Sequence, residues 1–249
     1  MTIALFSDVH ANLPALEALF ADLEMQKPDA VYCLGDLVGY NVWGNEVVNA
    51  IREKGIATLA GNHDLKVKLD DDSTQKVISE GKNYAYAIIG ENEKSYLLTL
   101  PAHIRLSFVL NGAPVNVLMV HGSPRSVNEY LLEDMDETLL TEIMSEANAD
   151  ILCFGHSHKP YHRTLRFTSK EGKTTYKHAI NIGSVGKPKD GDTRGCYVLL
   201  HLDTNANLDN AESIKVEHIR FEYDVAKAAK AIEDSPLPNE FAQMLREAF

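Results

Sequence analysis

Ile3-Ala4-Leu5-Phe6-Ser7-Asp8-Val9-His10-Ala11-Asn12-Leu13-Pro14 is the stretch that decides the fold. Ile3 to Ser7 is a short apolar run that ends at polar residues, the pattern of a buried strand. Asn12 can cap a helix, Pro14 suits its first turn, and Leu13, Leu16, Phe20 and Leu23 recur at helical spacing. The stretch therefore predicts strand, turn, helix, with Asp8 and His10 in the turn. Working outward, Ala30 to Leu34 is a second apolar run. Glu46 to Lys54 reads as a helix with Val47, Val48 and Ile51 inward, and Ile56 to Ala60 as a third strand. Strands alternating with helices imply parallel pairing through helical crossovers.

The stretch from Asp70 to Leu100 is polar and predicts mostly helix, with Tyr84, Ala85 and Ile88 as an inward set. The remainder is richer in strands. Ile104 to Leu110 and Val115 to Val120 flank Asn111-Gly112, a strong hairpin signal. Further strands are predicted at Ile151 to Phe154, Thr174 to Ile182, Tyr197 to Leu202 and Ile214 to Phe221. Leu139, Leu140, Ile143 and Met144 mark a helix. Ala226 to Glu233 and Glu240 to Phe249 predict two more. With no linker or repeat, residues 1–249 are expected to form one domain of two packed sheets with outer helices.

The chain of 249 residues has 24 Lys+Arg against 36 Asp+Glu, a formal net charge of -12. That field repels polyanions, so long nucleic acids and anionic membranes are excluded as expected partners. No apolar run approaches membrane-spanning length, and the start lacks a signal-peptide pattern. Cys33, Cys153 and Cys196 form no disulfide framework; Cys33 and Cys153 sit in strand-like runs and are expected as packed core thiols. A cytoplasmic location is the resulting expectation.

The chemistry-bearing residues cluster at predicted strand ends. Asp8 and His10 follow the first strand, Gly35-Asp36 the second, and Gly61-Asn62-His63-Asp64 the third. His121-Gly122 follows the Val115 strand, and Gly155-His156-Ser157-His158 the Ile151 strand. Ligands bind outside the carboxyl ends of parallel strands, so these termini are expected to converge. Imidazoles mixed with carboxylates, without cysteine, suit zinc, iron or manganese. The set is larger than one catalytic ion needs and matches two ions. Two-metal sites serve in-line displacement at phosphorus. Taken singly, an Asp-x-His, a Gly-Asp turn or a His-x-His pair would be unremarkable; the ordered ensemble is not.

These blocks resemble the signature of the calcineurin-like metallophosphoesterases. The similarity extends to a group of small phosphodiesterase-like proteins of bacteria and archaea. It is carried by Ser7-Asp8-Val9-His10-Ala11-Asn12, Gly39-Tyr40, Asn45-Glu46-Val47-Val48 and His121-Gly122-Ser123-Pro124-Arg125. Glu129-Tyr130-Leu131-Leu132, the Asn181 to Asp192 block and Phe221-Glu222-Tyr223-Asp224 add to it. The resemblance implies an α/β fold, a four-layer α/β/β/α sandwich of two mixed sheets with outer helices. It implies that Asp8, His10 and His158 hold one metal, that Asn62, His121 and His156 hold a second, and that Asp36 bridges them. The cofactors would be two divalent or trivalent ions of manganese, iron or zinc, with a bridging hydroxide attacking phosphorus in line. His63 would protonate the leaving oxygen or bind a phosphoryl oxygen. Asp64 would orient His63. Asn12, Arg125 and Tyr40 are candidate substrate contacts, Asn12 being equally a plain helix cap; Lys187 and Arg194 can steer anions.

The implied activity is phosphoester hydrolysis, chiefly of small phosphodiesters. The alternatives are a non-catalytic metal-binding scaffold on the same fold, a dinucleoside polyphosphate hydrolase or a protein phosphatase. The oligomeric state is open, a homodimer being one option. Two departures stand out: Asn41-Val42-Trp43-Gly44 replaces the usual Gly-Pro continuation, and Ser157 replaces the usual Thr. His103, His162, His178, His201 and His218 match no motif and are expected as surface or hydrogen-bonded strand residues. Two bound ions would more than offset Asp8, Asp36 and a hydroxide, making a locally cationic pocket on a negative protein.

Overall fold

Strand β1, Thr2–Phe6, is apolar at nearly every position because both its faces are covered. Ile3 and Leu5 point into one core, Ala4 and Phe6 into another. The computed structural model describes residues 1–67, 81–168 and 172–249. Helix α1, Leu13–Gln26, follows the first turn, and the Asn12 side chain accepts the Ala15 N–H at its start. The chain then returns as β2, Ala30–Cys33, parallel to β1 with Ile3 opposite Ala30. Helix α2, Gly44–Glu53, crosses to β3, Ala57–Thr58, parallel to β2. The expected strand over Ile56 to Ala60 pairs only at those two residues, because the Ala60 N–H turns to the Pro101 carbonyl.

Of the expected helical stretch from Asp70 to Leu100, residues 70–80 lie outside the described residues. The rest gives α3, Tyr84–Ala87, and α4, Glu91–Leu97. Ala85 is buried as expected, but Ile89 rather than Ile88 is buried beside it. The break between the short helices at Gly90 shifts the inward face by one residue.

Strands β4, His103–Leu110, and β5, Ala113–Val120, form the expected hairpin. Asn111 and Gly112 both take positive φ, 48° and 77°, as a two-residue turn of this hand requires. Helix α5, Glu137–Glu146, buries Leu140, Ile143 and Met144 and leads to β6, Ile151–Phe154, parallel to β5. β7, Tyr161–Thr168, was not expected. It is an edge strand in which only Tyr161 and Leu165 are buried, with His162, Arg163 and Arg166 diluting the apolar alternation. β8, Thr174–Asn181, pairs parallel to β6 and antiparallel to β7. β9, Gly195–His201, joins the first sheet antiparallel to β1, and β10, Lys215–Phe221, pairs antiparallel to β9 at the edge.

The two five-stranded sheets run β10-β9-β1-β2-β3 and β4-β5-β6-β8-β7. Ile3, Leu5, Val117, Met119, Cys153, Ile180 and Val198 fill the space between them. Alternate residues face outward: Ala4 and Phe6 beneath α1 and α2, Leu152 and Phe154 beneath α5. This period-two division produces the helix–sheet–sheet–helix layering. Cys33, Cys153 and Cys196 are free and buried. Helices α6, Val225–Glu233, and α7, Asn239–Glu247, form a further cluster with Tyr40, Val42 and Trp43. The departure at Asn41-Val42-Trp43-Gly44 thus supplies packing against these two helices. Among the described residues no helix is long and apolar enough to cross a membrane.

Candidate metal centre

Asp8 and His10 lie in the turn after β1, Asp36 after β2, Asn62 and His63 after β3, His121 after β5, and His156 and His158 after β6. β1, β2 and β3 are mutually parallel, as are β5 and β6, so each of these turns is at a carboxyl end. Asp8, His10, Asp36, His156 and His158 all have φ between 50° and 65°. For a side-chain-bearing residue this left-handed conformation costs roughly 1 kcal/mol or more. The turns hold it through backbone bonds such as Asp8 N–H to Gly35 O at 3.0 Å and His10 N–H to Asp36 O at 2.9 Å. Concentrated strain of this kind marks a place where side-chain direction matters more than local stability.

The imidazoles share one orientation. Nδ1 of His10 faces the Val38 carbonyl, that of His121 the Leu34 carbonyl, and that of His158 the Lys187 carbonyl. A carbonyl only accepts, so each Nδ1 donates, and in a neutral ring each Nε2 keeps its lone pair. Those Nε2 atoms converge. His10 Nε2 is 3.1 Å from His158 Nε2, and His121 Nε2 is 3.1 Å from Asn62 Oδ1. Asp36 Oδ2 stands 3.6 Å from His10 Nε2 and 3.4 Å from His121 Nε2, between the two groups. Its Oδ1 accepts the His63 N–H at 2.7 Å. Asp8 Oδ1 is buried without a hydrogen-bond partner, 3.1 Å from His158 Nε2. Facing lone pairs and an orphaned carboxylate oxygen repel one another unless a cation lies among them. The donor set fits a metal ion on that ground.

Among the described residues, three buried groups bring ligand atoms within 4.8 Å of one another: Asp8 with His10 and His158, His10 with Asp36 and His63, and Asp8 with Asp36 and His121. Burial alone would push the Asp8 carboxyl up; the neighbouring imidazoles, His158 first and then His10, hold it well below its usual range instead. Asp36 is likewise lowered against its burial, chiefly by His121. His121 is pushed up to about 10, burial being outweighed by Asp36. The place between Asp36 and His121 Nε2 therefore takes either a proton on the ring or a cation in its stead.

His156 sits differently. Its backbone N–H bonds Asp8 Oδ2 at 3.1 Å, while its ring Nε2 faces the Asn128 carbonyl at 3.3 Å and stacks on Tyr130. Its ring meets that of His121 edge-on, 5.0 Å between centroids, leaving Nδ1 as its candidate ligand atom.

Several expected roles are corrected. Asp64 does not pair with His63. Its carboxylate accepts backbone N–H groups of Asp36, Leu37 and Gly61 at 2.8–2.9 Å, so it shapes the loops that carry Asp36 and Asn62. Burial, then the Asp36 charge, pushes its pKa up to about 7 against those bonds. His63 Nδ1 meets the Tyr86 hydroxyl instead, at 2.5 Å. Asn12 is fully buried, with Oδ1 on the Ala15 N–H and Nδ2 on the Gly186 carbonyl, so it caps α1 and cannot reach a substrate. The Arg125 guanidinium is bound by Glu129. Arg194 is exposed and paired with Asp192. Tyr40 does border the site: its ring is 4.9 Å from those of His10 and His63, with Lys187 Nζ 4.7 Å above it. Gly186 N–H and Ser184 Oγ both bond the Asp8 carbonyl, bracing the first turn from the segment after β8.

Sequence reasoning missed Tyr86 and Lys189. Tyr86 lies in a polar stretch without a motif, and helical spacing selected its neighbours. Lys189 stands where the charges of Asp8 and Asp36 act on it, although burial lowers its pKa; its position beside Lys187 was the only signal.

This fold and site define a calcineurin-like phosphoesterase domain, whose family model matches residues 1–205. The chain belongs to the calcineurin-like phosphoesterase superfamily. It is 30% identical over 253 residues to an uncharacterized protein of Methanocaldococcus jannaschii, covering 98% of this chain and 96% of that one. The crystal structure of a metallophosphoesterase from Sphaerobacter thermophilus has a TM-score of 0.76 at 26% identity, covering 100% of this chain and 99% of that one. A hypothetical protein from Pyrococcus horikoshii shares the fold at a TM-score of 0.77 and 21% identity, over 100% of this chain and 98% of that one.

Proposed function

We propose that this protein is a two-metal phosphoester hydrolase acting on small phosphodiesters. The observation that carries the reading is the buried, partnerless Asp8 Oδ1 among imidazole Nε2 atoms whose Nδ1 atoms are committed to carbonyls. Asp8, His10 and His158 would hold one ion, Asn62, His121 and His156 the other, and Asp36 would lie between. Manganese, iron and zinc all suit this set of nitrogen and oxygen donors. When bound, the pair supplies Lewis acidity toward the phosphoryl oxygens and a nucleophile from water at neutral pH.

The chain's own residues do the rest. The carbonyls of Val38, Leu34 and Lys187 fix the ring orientation of His10, His121 and His158. Asp64 ties four backbone N–H groups together, those of Asp36, Leu37, Val38 and Gly61, and so sets the distance between the Asp36 and Asn62 loops. His63 presents a ring nitrogen to the phosphoester as hydrogen-bond donor. Lys187 is buried over the Tyr40 ring, where burial pushes its pKa down to about 7. A cavity of about 360 Å³, lined in part by His121, Arg125 and Leu65, is of a size for a small ester's organic group. The net charge of -12 disfavours long polyanions.

A substrate panel tests the reading. Manganese-loaded protein is expected to hydrolyse bis(p-nitrophenyl) phosphate faster than p-nitrophenyl phosphate, a dinucleoside polyphosphate or a phosphopeptide. A loaded protein inert toward all of them would overturn the hydrolase reading; a preference for either of the last two would overturn the substrate class.

A further inference from the structure

The ring of His63 has Asp36 within 4.8 Å on the side of the centre and is otherwise bounded by Tyr86, Tyr40 and Gly39. Its Nδ1 lies 2.5 Å from the Tyr86 hydroxyl, and the two rings are nearly parallel at 28°. Tyr86 is carried by α3, and Lys66 Nζ lies 6.0 Å from its ring centroid. The turn at Gly39 is cut to admit this contact. A Cβ there would fall 2.5 Å from His63 Nδ1 and 3.2 Å from the Tyr86 hydroxyl oxygen. Gly39 also has φ of 92°, a conformation that disfavours any side chain. Tyr40, the next residue, packs its ring 4.9 Å from that of His63.

A phenol is a better donor than an imidazole N–H, and an imidazole nitrogen is a better acceptor than a phenol oxygen. The hydroxyl therefore donates to Nδ1. Burial pushes the Tyr86 phenol further up, so it keeps its proton. A ring that accepts at Nδ1 is neutral and must carry its hydrogen on Nε2.

We infer that Tyr86 is the positioning residue for His63, locking it as the tautomer that presents Nε2–H to the phosphoester. The inference rests on the proposed hydrolytic function for the use of that N–H. The tautomer itself does not depend on that reading, so the two fail separately. No proton need be transferred: the N–H stabilises charge that builds on a phosphoryl or leaving oxygen. Loss of the lock leaves a mixture of tautomers, of which one points a lone pair at the substrate's negative oxygens.

The test has two arms. In zinc-loaded wild-type protein, which is diamagnetic, 15N NMR of the histidine rings should show His63 unprotonated at Nδ1 and protonated at Nε2. Tyr86→Phe should lose that pure signature. With a phosphodiester substrate the same variant should lose on the order of ten- to a hundred-fold in kcat with KM little changed, the usual scale for one well-aimed donor. A wild-type His63 protonated on Nδ1 would overturn the inference, because Tyr86 would then be accepting. So would a Tyr86→Phe protein with the wild-type tautomer or the wild-type kcat. The wild-type spectrum needs no substitution, so it decides the first point even if the variant folds poorly.

Discussion

Among the described residues histidines are buried in two places, and one of them carries the carboxylates of a candidate metal centre. His121 and His178 are 1% and 0% exposed, so burial does not distinguish them. His121 lies 3.4 Å from Asp36 Oδ2 and is pushed up to about 10, burial being outweighed by that carboxylate. His178 pairs with the ring of His162 at 3.0 Å and is pushed down to about 4 by burial and then by His162. His218, close by on the same inter-sheet side, bonds the Asn181 carbonyl. The second group offers imidazoles without a carboxylate to gather a cation. What makes the first a centre is that His10, His121 and His158 each pair Nδ1 with a carbonyl while Nε2 faces a carboxylate.

The sharpest way to break this contrast is to remove a carboxylate from one group and an imidazole from the other. Asp36→Asn should lower kcat on a phosphodiester by about 10³-fold, the scale of several kcal/mol of metal-based stabilisation. His178→Leu should leave kcat within a few-fold of wild type. Equal losses in the two variants would erase the distinction.

A second contrast is thermodynamic. Metal that binds only the folded chain stabilises it by about 2.7 kcal/mol at a hundred times Kd. Unfolding midpoints of wild type and His178→Leu should both rise with added manganese, and that of Asp8→Asn should rise far less. A rise of the same size in Asp8→Asn would mean the metal binds elsewhere.

The smallest effect belongs to the second group. The folded pKa of His178 is near 4 against an ordinary 6.5, because burial disfavours its charge. The unfolded chain therefore takes up a proton that the folded chain refuses between those values. Stability from this source is present above pH 6.5 and is lost as pH falls toward 4. The loss should be on the order of 2 kcal/mol, read by urea unfolding. His178→Leu should flatten that acid limb; a limb as steep as wild type would assign it to other groups.

Much of this was legible in the sequence, for identifiable reasons. β1, α1 and β2 are announced by unbroken apolar runs and an Asn12 cap, and Asn111-Gly112 admits only a hairpin turn of one hand. The residues of the candidate centre were legible because each stands at the end of an apolar run, beside a glycine. β7 was hidden because an edge strand needs few apolar residues and this one carries Arg163 and Arg166. The error over Asp64 has a different cause. Adjacency to His63 suggested a pair, but the carboxylate turns back to satisfy backbone N–H groups, and the ring's partner comes from Tyr86, remote in sequence. Asn12 was open to two readings because a cap and an anion site present the same residue at a helix start; its bonds to the Ala15 N–H and the Gly186 carbonyl favour the cap.

The central claim is that the Asp8–His10–Asp36–His121–His158 cluster works through bound metal. It is tested most directly by following bis(p-nitrophenyl) phosphate hydrolysis by the wild-type chain as chelator-stripped protein is titrated with manganese. Hydrolysis should be absent at zero occupancy, rise in step with bound metal and level off when the site is full. A stripped protein as active as the loaded one, or a filled site with no hydrolysis, would contradict the account.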